Sequence, residues 1–267
     1  MTIEKIDIYR LFEKVKEQSP VVHHLTNWVT IYDCANITKV LGGSPVMAHA
    51  PEEAAEMTGI ASSLVLNIGT LTVDFVEAMK IAAKKANEIN IPITLDVCGA
   101  GATKLRDDKC FELLEAAKIS IIKGNASEIA RISGLSVKTQ GVDSGNINEN
   151  LEELAKDVSQ KWNCTTVITG EVDFIADAKR CYKVKNGHPI MAHVVGTGCM
   201  AASVIGTFAA VDSDYVNTSV AGLVCYEVAA ELAAKKSYGP GTFKEQLFDA
   251  LFNLDKAAIE KMQKVES

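Results

Sequence analysis

The sequence predicts an α/β protein with a mostly parallel central sheet, helices on both faces and an antiparallel hairpin at one edge. Short apolar runs alternate with longer amphipathic runs along most of the chain, which is the pattern of parallel strands joined by crossover helices. The strand-like runs are apolar at consecutive positions, so each strand is expected to be covered on both faces. Hydrophobic residues make up 48% of the chain and charged residues 23%, as is ordinary for a globular protein.

Six segments have the apolar composition of buried parallel strands: residues 21–25, 46–48, 63–68, 93–97, 120–123 and 166–169. The segment at residues 173–191 differs, because short apolar runs there flank charged residues and Asn186-Gly187 marks a turn. We interpret it as one or two antiparallel hairpins that extend the sheet at its edge.

Helices are expected between and after these strands. Residues 72–88 place apolar side chains mostly on one helical face and lysines on the other. After Gly198 three successive helices are predicted, at residues 199–211, 215–235 and 242–262. The polar interval at residues 136–150 is expected to be a surface loop or a flap. No linker composition divides the chain, so one domain over residues 1–267 is favoured over two smaller ones.

Charge and cysteine usage exclude several classes of protein. Acidic residues outnumber basic ones by 34 to 27, giving a formal charge of -7, so nucleic acid and anionic membranes are not expected partners. Seven scattered cysteines without a C-x-x-C pair argue against a disulfide framework and a zinc site. The amino terminus lacks the apolar core of a signal peptide, which indicates the cytoplasm. Residues 194–211 carry no charge, yet their glycines and hydroxyl groups favour a buried helix over a membrane span.

The most informative segment is Val195-Gly196-Thr197-Gly198-Cys199-Met200, where an extended run passes into a helix of small residues. Its glycines allow the backbone to approach a ligand, and the first helical turn offers unpaired N–H donors at the positive end of the helix dipole. Gly196, Thr197, Gly198 and Cys199 are therefore predicted to form an anion hole. Cys199 either has a thiol of lowered pKa that faces the anion or is a small buried residue in a tight packing turn.

Two further segments follow predicted strands and precede predicted helices: Asp96 through Thr103, and Ile122 through Glu128. Ligands bind to open α/β sheets beyond the carboxyl ends of the strands. Asp96 and Glu128 are therefore candidate ligands of Mg²⁺, directly or through water. Both also have structural explanations, because Asp96 could cap the next turn and Asn125 with Glu128 matches a helix capping box.

Asn27 and Met47 are candidate contacts of a small organic substrate. Asn27 ends the polar run His23-His24-Leu25-Thr26-Asn27, and Met47 ends Gly42-Gly43-Ser44-Pro45-Val46-Met47. A methionine thioether suits an apolar or sulfur-containing ring. Alternatively, the histidines are satisfied core groups and Met47 only fills space. The sequence has no G-x-x-x-x-G-K-[ST] phosphate loop, so a phosphotransferase would be of another type.

Seven blocks resemble, in order along the chain, the hydroxyethylthiazole kinase family. They are His24-Leu25-Thr26-Asn27, Gly43-Ser44-Pro45-Val46-Met47, Leu66-Asn67-Ile68-Gly69-Thr70-Leu71, Asp96 through Thr103, Lys123 through Glu128, Thr169-Gly170-Glu171 and Gly196-Thr197-Gly198-Cys199. The joint occurrence of these blocks is specific, although each by itself is not. The resemblance implies a ribokinase-like three-layer fold that phosphorylates the primary alcohol of 4-methyl-5-(2-hydroxyethyl)thiazole with ATP and Mg²⁺ in thiamine salvage. It also implies a homotrimer with active sites between subunits.

The resemblance also implies roles for individual residues. Met47 and Gly196 would contact the thiazole with Asn27 nearby, Lys123 and Thr169 would bind ATP, and Asp96 and Glu128 would serve magnesium and phosphate. Cys199 stands where the wider superfold usually places an aspartate base. The chain departs from the family pattern in two places. The usual Asp-Pro-Val-Gly reads Asp96-Val97-Cys98-Gly99, and Lys123 stands where arginine is common, which keeps the charge without the bidentate fork.

Three alternative functions remain open at this point. A kinase for hydroxymethylpyrimidine or pyridoxal would share the fold and the chemistry. A dehydratase acting on hydrated nicotinamide nucleotides would share the anion hole but would be expected to carry aspartate at position 199. A non-catalytic sensor of thiazole or nucleotide would keep the binding residues and lack turnover.

Overall fold

A nine-stranded sheet forms the centre of the protein, whose computed structural model describes residues 6–134 and 151–267. The strands are β1 (Val21–Leu25), β2 (Ser44–Val46), β3 (Ser63–Asn67), β4 (Ile93–Asp96), β5 (Ile121–Asn125), β6 (Thr165–Thr169), β7 (Asp173–Ala176), β8 (Cys181–Val184) and β9 (Val265–Glu266). Their spatial order is β2-β1-β3-β4-β5-β6-β7-β8-β9. The pairings are parallel from β2 through β6 and antiparallel from β6 through β9. The predicted α/β class, with an antiparallel edge on a mostly parallel sheet, is confirmed.

Helices connect the strands and cover both faces of the sheet. They are α1 (Ile8–Gln18), α2 (Ile31–Leu41), α3 (Pro51–Gly59), α4 (Val73–Glu88), α5 (Lys104–Ala116), α6 (Ala126–Ser133), α7 (Leu151–Trp162), α8 (Thr197–Ala209), α9 (Tyr215–Ala234), α10 (Pro240–Phe252) and α11 (Lys256–Met262). A 3₁₀ turn at Pro189–His193 precedes α8. None of the helices in the described part of the chain is long and apolar enough to cross a membrane.

Two hydrophobic cores lie on opposite faces of the sheet. One packs α1, α2 and α8 to α11 against strand residues such as Ile121 and Val167. The other packs α3 to α7 against their chain neighbours Ile122 and Ile168. Successive strand residues point to opposite faces, so the continuous apolar runs seen in the sequence supply both cores.

Helix α8 is buried around almost its whole circumference, as expected for the uncharged residues 194–211. It begins at Thr197, two residues earlier than predicted, with Gly196 as its N-cap in the left-handed region at φ +93°. Gly206 lets the helix lie against the sheet, because a Cβ atom there would overlap the Cγ2 methyl group of Val65 on β3. This close approach fixes the position of the amino end of α8 above the strand ends.

Several predicted boundaries were wrong, each for a local reason. Strand β2 lies two residues earlier than predicted. The turn of the hairpin lies at residues 177–180. There Asp177 accepts hydrogen bonds from the Lys179 and Arg180 amides at 2.8 and 2.7 Å, as in an Asx turn. The single helix predicted at residues 242–262 is two helices, since Asp255 caps α11 by accepting from Ala258 at 2.8 Å. The interval at residues 136–150 lies outside the described residues.

Candidate active site

Polar side chains from four neighbouring strands form a hydrogen-bonded row at the carboxyl edge of the sheet. Asn27 donates from Nδ2 to Asn67 Oδ1 at 3.1 Å, and Asn67 Nδ2 donates to Asp96 Oδ2 at 2.9 Å. Lys123 Nζ lies 3.4 Å from the same Asp96 oxygen. All four residues are at least 95% buried. Strands β1, β3, β4 and β5 are adjacent, so topology alone brings together groups that are nearly a hundred residues apart.

The Cys199 thiol stands at one end of this row, in the first turn of α8. Asn27 Nδ2 donates its second hydrogen to Cys199 Sγ at 3.1 Å. The thiol of Cys98, which follows β4, hydrogen-bonds to Cys199, and this bond together with nearby Thr30 and Lys123 lowers the pKa of the Cys199 thiol to about 5. The pKa of Cys98 is raised in return. Cys199 therefore has the properties of a thiolate that can accept a proton.

The loop at residues 196–199 presents backbone N–H groups to the same space. Gly196 needs its small size as well as its positive φ, because a Cβ atom there would overlap the Cγ2 methyl group of Thr30. A Cβ atom on Gly198 would lie 3.2 Å from Lys123 Nζ, so the ammonium group sits directly under the helix amino terminus. Helix amides and an ammonium group that face one space are suited to binding an anion, and the predicted anion hole at residues 196–199 stays a prediction; the space is called here the anion site. The Thr197 hydroxyl bonds instead to the Met191 and Val194 carbonyls.

The ionisation of Asp96 and Lys123 is coupled. Burial raises the pKa of Asp96 to about 7 despite the nearby ammonium group. Burial alone would lower the pKa of Lys123, but the Asp96 and Glu128 carboxylates raise it overall. Lys123 therefore keeps its positive charge at the floor of the site.

Glu128 is held mainly by the capping box that the sequence predicts. Its Oε2 accepts from the Asn125 amide and its Oε1 from the Gly99 amide, both at 2.8 Å. Among the described residues no group of three or more His, Cys, Asp or Glu side chains could hold a metal ion. Asp96 and Glu128 are hard oxygen donors beside an anion site, and Mg²⁺ commonly binds through one or two carboxylates plus substrate phosphates. The residues present therefore fit a magnesium ion that arrives with a phosphate ligand.

A cavity of about 1170 Å³, called here the main cavity, opens beside the anion site. Thr169 and Gly170 at the end of β6 form one wall, Thr197 and Gly198 form another, and Tyr226 and Glu227 of α9 lie between them. The Thr169 hydroxyl is 3.4 Å from the Gly124 carbonyl oxygen. The structure thus brings Thr169 and the anion-site loop to one cavity large enough for a nucleotide.

Met47 lies directly after β2, the edge strand next to β1, and is half-buried. An aromatic cluster of Trp28, His49 and Phe75 lies near this edge, with ring centroids 4.4 Å apart for Trp28 and His49. The histidines of β1 have structural partners: His23 contacts Thr58 Oγ1 at 2.9 Å and the Ala48 carbonyl at 2.7 Å. The core interpretation of the β1 histidines is therefore correct.

Sequence reasoning missed two residues that shape the site. Asn67 is the middle of the polar row, and its position directly at the end of an apolar strand could have identified it. Arg106 of α5 donates to the carbonyl oxygens of Ile68, Gly69 and Cys98 at 2.9, 2.8 and 3.2 Å. It thereby ties the loops after β3 and β4 together. Nothing in its local sequence distinguishes it from a surface arginine.

Comparison with known proteins adds to this geometry. The model of the hydroxyethylthiazole kinase family matches residues 12–257. A hydroxyethylthiazole kinase from Methanosarcina mazei is 50% identical over 252 residues, which cover 94% of this chain and 97% of that protein. One from Thermoanaerobacter pseudethanolicus is 48% identical over 258 residues, covering 96% and 98%.

Solved structures agree with the fold. The hydroxyethylthiazole kinase protein from Pyrococcus horikoshii superposes with a TM-score of 0.90 at 37% identity, covering 97% of this chain and 98% of that one. A ribokinase-like superfamily protein from Enterococcus faecalis superposes with a TM-score of 0.64 at 17% identity, covering 93% and 94%. The second similarity concerns the fold alone, and it places the architecture in the ribokinase-like class.

Proposed function

Because the chain belongs to the hydroxyethylthiazole kinase family, we propose that it transfers the γ-phosphoryl group of ATP to the primary hydroxyl of 4-methyl-5-(2-hydroxyethyl)thiazole in thiamine salvage. The observation that carries this proposal is that Cys199, the amides of α8 and Lys123 border one space beside the main cavity. That arrangement supplies a proton acceptor, an anion site and room for a nucleotide, which are the three parts an alcohol kinase needs.

In the proposed reaction the substrate oxygen attacks the γ-phosphorus in line with the bond to the β-phosphate oxygen. The new P–O bond forms as that bond breaks, ADP leaves, and the hydroxyl proton passes to the Cys199 thiolate. The transition state is loose, so the alcohol loses its proton late and a weak base suffices. Asn27 donates to the same sulfur and would hold it in position for the proton.

Charge on the transferring group would be met by the α8 amides and by Lys123. These donors are fixed before the substrate binds: Gly196 sets the N-cap, and Lys123 is held by Asp96. Preorganised donors stabilise developing charge without reorganisation. The nucleotide phosphates would lie between Lys123 and Thr169. Lysine gives a point charge rather than a fork, so a weaker grip on the nucleotide is expected, with function intact.

Asp96 and Glu128 would hold Mg²⁺, directly or through water. A bound magnesium ion neutralises phosphate charge and orients the phosphoryl group. The protein contributes two carboxylates next to the anion site, one of them fixed by backbone amides. Substrate contacts would come from Met47 and Gly196, with Asn27 at the border between substrate and base.

The chain is further proposed to be one domain over residues 1–267 that forms a cytoplasmic homotrimer with its active sites between subunits. Large apolar side chains exposed near the site support the assembly. Trp28 is 48%, Val29 68%, Tyr32 75% and Val195 72% exposed. Apolar groups clustered in this way beside a site are typical of an interface.

A coupled ADP-release assay across hydroxyethylthiazole, hydroxymethylpyrimidine and pyridoxal tests the function. The expected result is steady, magnesium-dependent ADP release with hydroxyethylthiazole at the highest kcat/KM. A higher value for either other alcohol would overturn the substrate assignment, and release equal to the alcohol-free control would leave a sensor or a dehydratase. Light scattering on the purified protein tests the trimer separately, and a monomeric mass would overturn it.

A further inference from the structure

Two adjacent residues of α9, Tyr226 and Glu227, reach both walls of the main cavity. The Tyr226 hydroxyl donates to the Thr197 carbonyl at 3.1 Å, which holds the first residue of α8. Tyr226 is 1% exposed, so this bond is shielded from water and fixes the amino end of the helix whose amides form the anion site.

Glu227 faces the opposite wall, where its carboxyl group lies beside that of Asp173 at the start of β7. The carboxyl groups are 7% and 2% exposed, and Glu227 Oε2 and Asp173 Oδ2 have no donor among the described residues. Two carboxylates cannot donate to each other, so the contact requires a shared proton. Asp173 Oδ1 accepts from the Gly170 amide at 2.9 Å, which connects the pair to the turn after β6.

The charged side chains described around Glu227 and Asp173 do not neutralise the pair, so this is left to the shared proton. Glu231, one turn further along α9, is itself paired with Lys264 at 2.9 Å and with Asn186. Gly187, in the loop after β8, brings no side chain to the pair, and a Cβ atom there would lie 3.7 Å from the Glu227 carboxyl carbon. Lys123 lowers the pKa of Asp173 less than the hydrogen bonds of that carboxyl group do. Lys185, His188 and Glu171 also line the cavity. Burial and Asp173 raise the pKa of Glu227 well above its usual range.

We propose that Glu227 is a positioning residue for nucleotide binding: by sharing one proton with Asp173 it ties the Gly170 turn to α9. Neighbouring Tyr226 ties the amino end of α8 to the same helix. Two adjacent residues of α9 thus hold the Gly170 turn and the amino end of α8, the two walls that would bind ATP, at a fixed spacing. The inference rests on the proposed function, since ATP is the ligand it concerns.

The test compares Glu227→Gln with Glu227→Ala. A glutamine amide donates to Asp173 Oδ2 without needing a proton, whereas alanine leaves that buried oxygen without a donor. Calorimetric titration with the β,γ-imido analogue of ATP is expected to show Glu227→Ala about tenfold weaker than the parent and Glu227→Gln within about twofold. In ADP-release assays the KM for ATP should rise in Glu227→Ala and stay close to the parent value in Glu227→Gln. In both variants kcat should change less than KM.

A pH series separates positioning from mere packing. Affinity of the parent for the analogue is expected to fall as pH rises and the shared proton is lost. In Glu227→Gln the fall should be smaller, because only groups common to both proteins, such as Asp96, titrate there. Glu245→Gln, which makes the same substitution on the exposed surface of α10, is the matched control and should follow the parent. Circular dichroism verifies that each variant is folded.

The inference is overturned if Glu227→Ala binds the analogue as tightly as the parent or if Glu227→Gln binds it as weakly as Glu227→Ala. It is also overturned if the parent and Glu227→Gln show the same pH dependence of binding. A parent that binds the analogue but phosphorylates none of the three alcohols would contradict the proposed function, and the binding series would still decide the role of Glu227.

Discussion

Asn27 Nδ2 lies 3.1 Å from Cys199 Sγ and 3.1 Å from Asn67 Oδ1, so one amide joins the proposed base to the polar row beneath it. Its own Oδ1 accepts from the Thr30 amide and hydroxyl at 3.2 and 3.0 Å. Every hydrogen-bonding atom of the Asn27 side chain is therefore in use, and its two hydrogens can only point toward Asn67 and Cys199. The amide stabilises the thiolate form of Cys199.

Asn27→Asp is expected to raise the pKa of the Cys199 thiol by about one unit or more, because a carboxylate repels the thiolate that the amide stabilises. The pH dependence of iodoacetamide labelling at Cys199, followed by mass spectrometry, measures the change. Asn36→Asp, on the exposed side of α2, adds the same charge elsewhere and should leave the labelling curve in place. An unchanged curve for Asn27→Asp would show that this amide has no influence on the thiol.

Cys199→Ala is expected to lower kcat by roughly 10²–10⁴, the usual contribution of a general base, while Cys199→Asp stays active because aspartate can accept the same proton. ADP release with hydroxyethylthiazole is the measurement. Cys164→Ser provides the control, since Cys164 lies at the amino end of β6, away from the site. Equal turnover of the alanine variant and the parent would refute the catalytic role.

Arg106→Lys is expected to lower the free energy of unfolding by about 1–3 kcal/mol, because an ammonium group cannot reproduce the three carbonyl contacts of the guanidinium. The loops after β3 and β4 would separate, so ADP release should fall as well. Urea unfolding gives the stability, and Arg10→Lys, on the exposed side of α1, is the matched change. If the two variants are equally stable, Arg106 does not brace the loops.

Gly206→Ala is expected to destabilise the protein by about 1–3 kcal/mol, as overpacking usually does, because the new methyl group overlaps Val65. Gly241→Ala near the start of α10 meets no atom within 4 Å and should be neutral or slightly stabilising. Thermal unfolding of the pair measures the difference. Similar melting temperatures would mean that α8 can move away from β3 at no cost.

His24 is expected to make the fold acid-sensitive. Burial lowers its pKa from 6.5 to about 4, so the unfolded chain binds a proton that the folded protein does not. The stability that His24 contributes is present above pH 6.5 and is lost as pH falls toward its folded-state pKa of about 4. Near pH 5 the free energy of unfolding should be lower by about 2 kcal/mol.

Urea unfolding across this pH range checks the expectation with two variants. His24→Gln removes the titrating group and should show a shallower decline than the parent, whatever its stability at neutral pH. His49→Gln, at an exposed position, should keep the parent's slope. If the free energy of unfolding declines with falling pH at the same rate in all three proteins, the acid sensitivity does not come from His24.

Local pattern was sufficient for much of the fold. The spacing of apolar residues predicted the strand at residues 21–25 and the first two of the three helices expected after Gly198, because burial on one or both faces imposes a period that can be read directly. Gly196 and Gly198 likewise indicate a close approach of the backbone: a Cβ atom on Gly196 would overlap Thr30, and one on Gly198 would lie 3.2 Å from Lys123 Nζ. The approach to a ligand stays a prediction. The capping box of Asn125 and Glu128 was visible because both partners lie within one turn.

Contacts between distant parts of the chain were not visible in the same way. Strand β9 has two residues and pairs with β8 only because α11 returns the chain to that edge. The bonds of Arg106 depend on two loops that meet at neighbouring strands, and the meeting of Glu227 with Asp173 depends on the contact of α9 with β7 and β8. Each is decided by which strands are adjacent, and adjacency is a property of the folded sheet.

The sequence by itself determined the α/β class, and it made residues 196–199 a candidate anion site and Cys199 a candidate base, since these follow from residue type and short-range spacing. Only the tertiary structure decided that Cys199 contacts Asn27 and Cys98, that Lys123 lies beneath the amino end of α8, and that the buried acids Glu227 and Asp173 line the main cavity. The physical reason is that pKa values and hydrogen bonds depend on distances of a few ångströms, which packing sets between residues far apart in the chain.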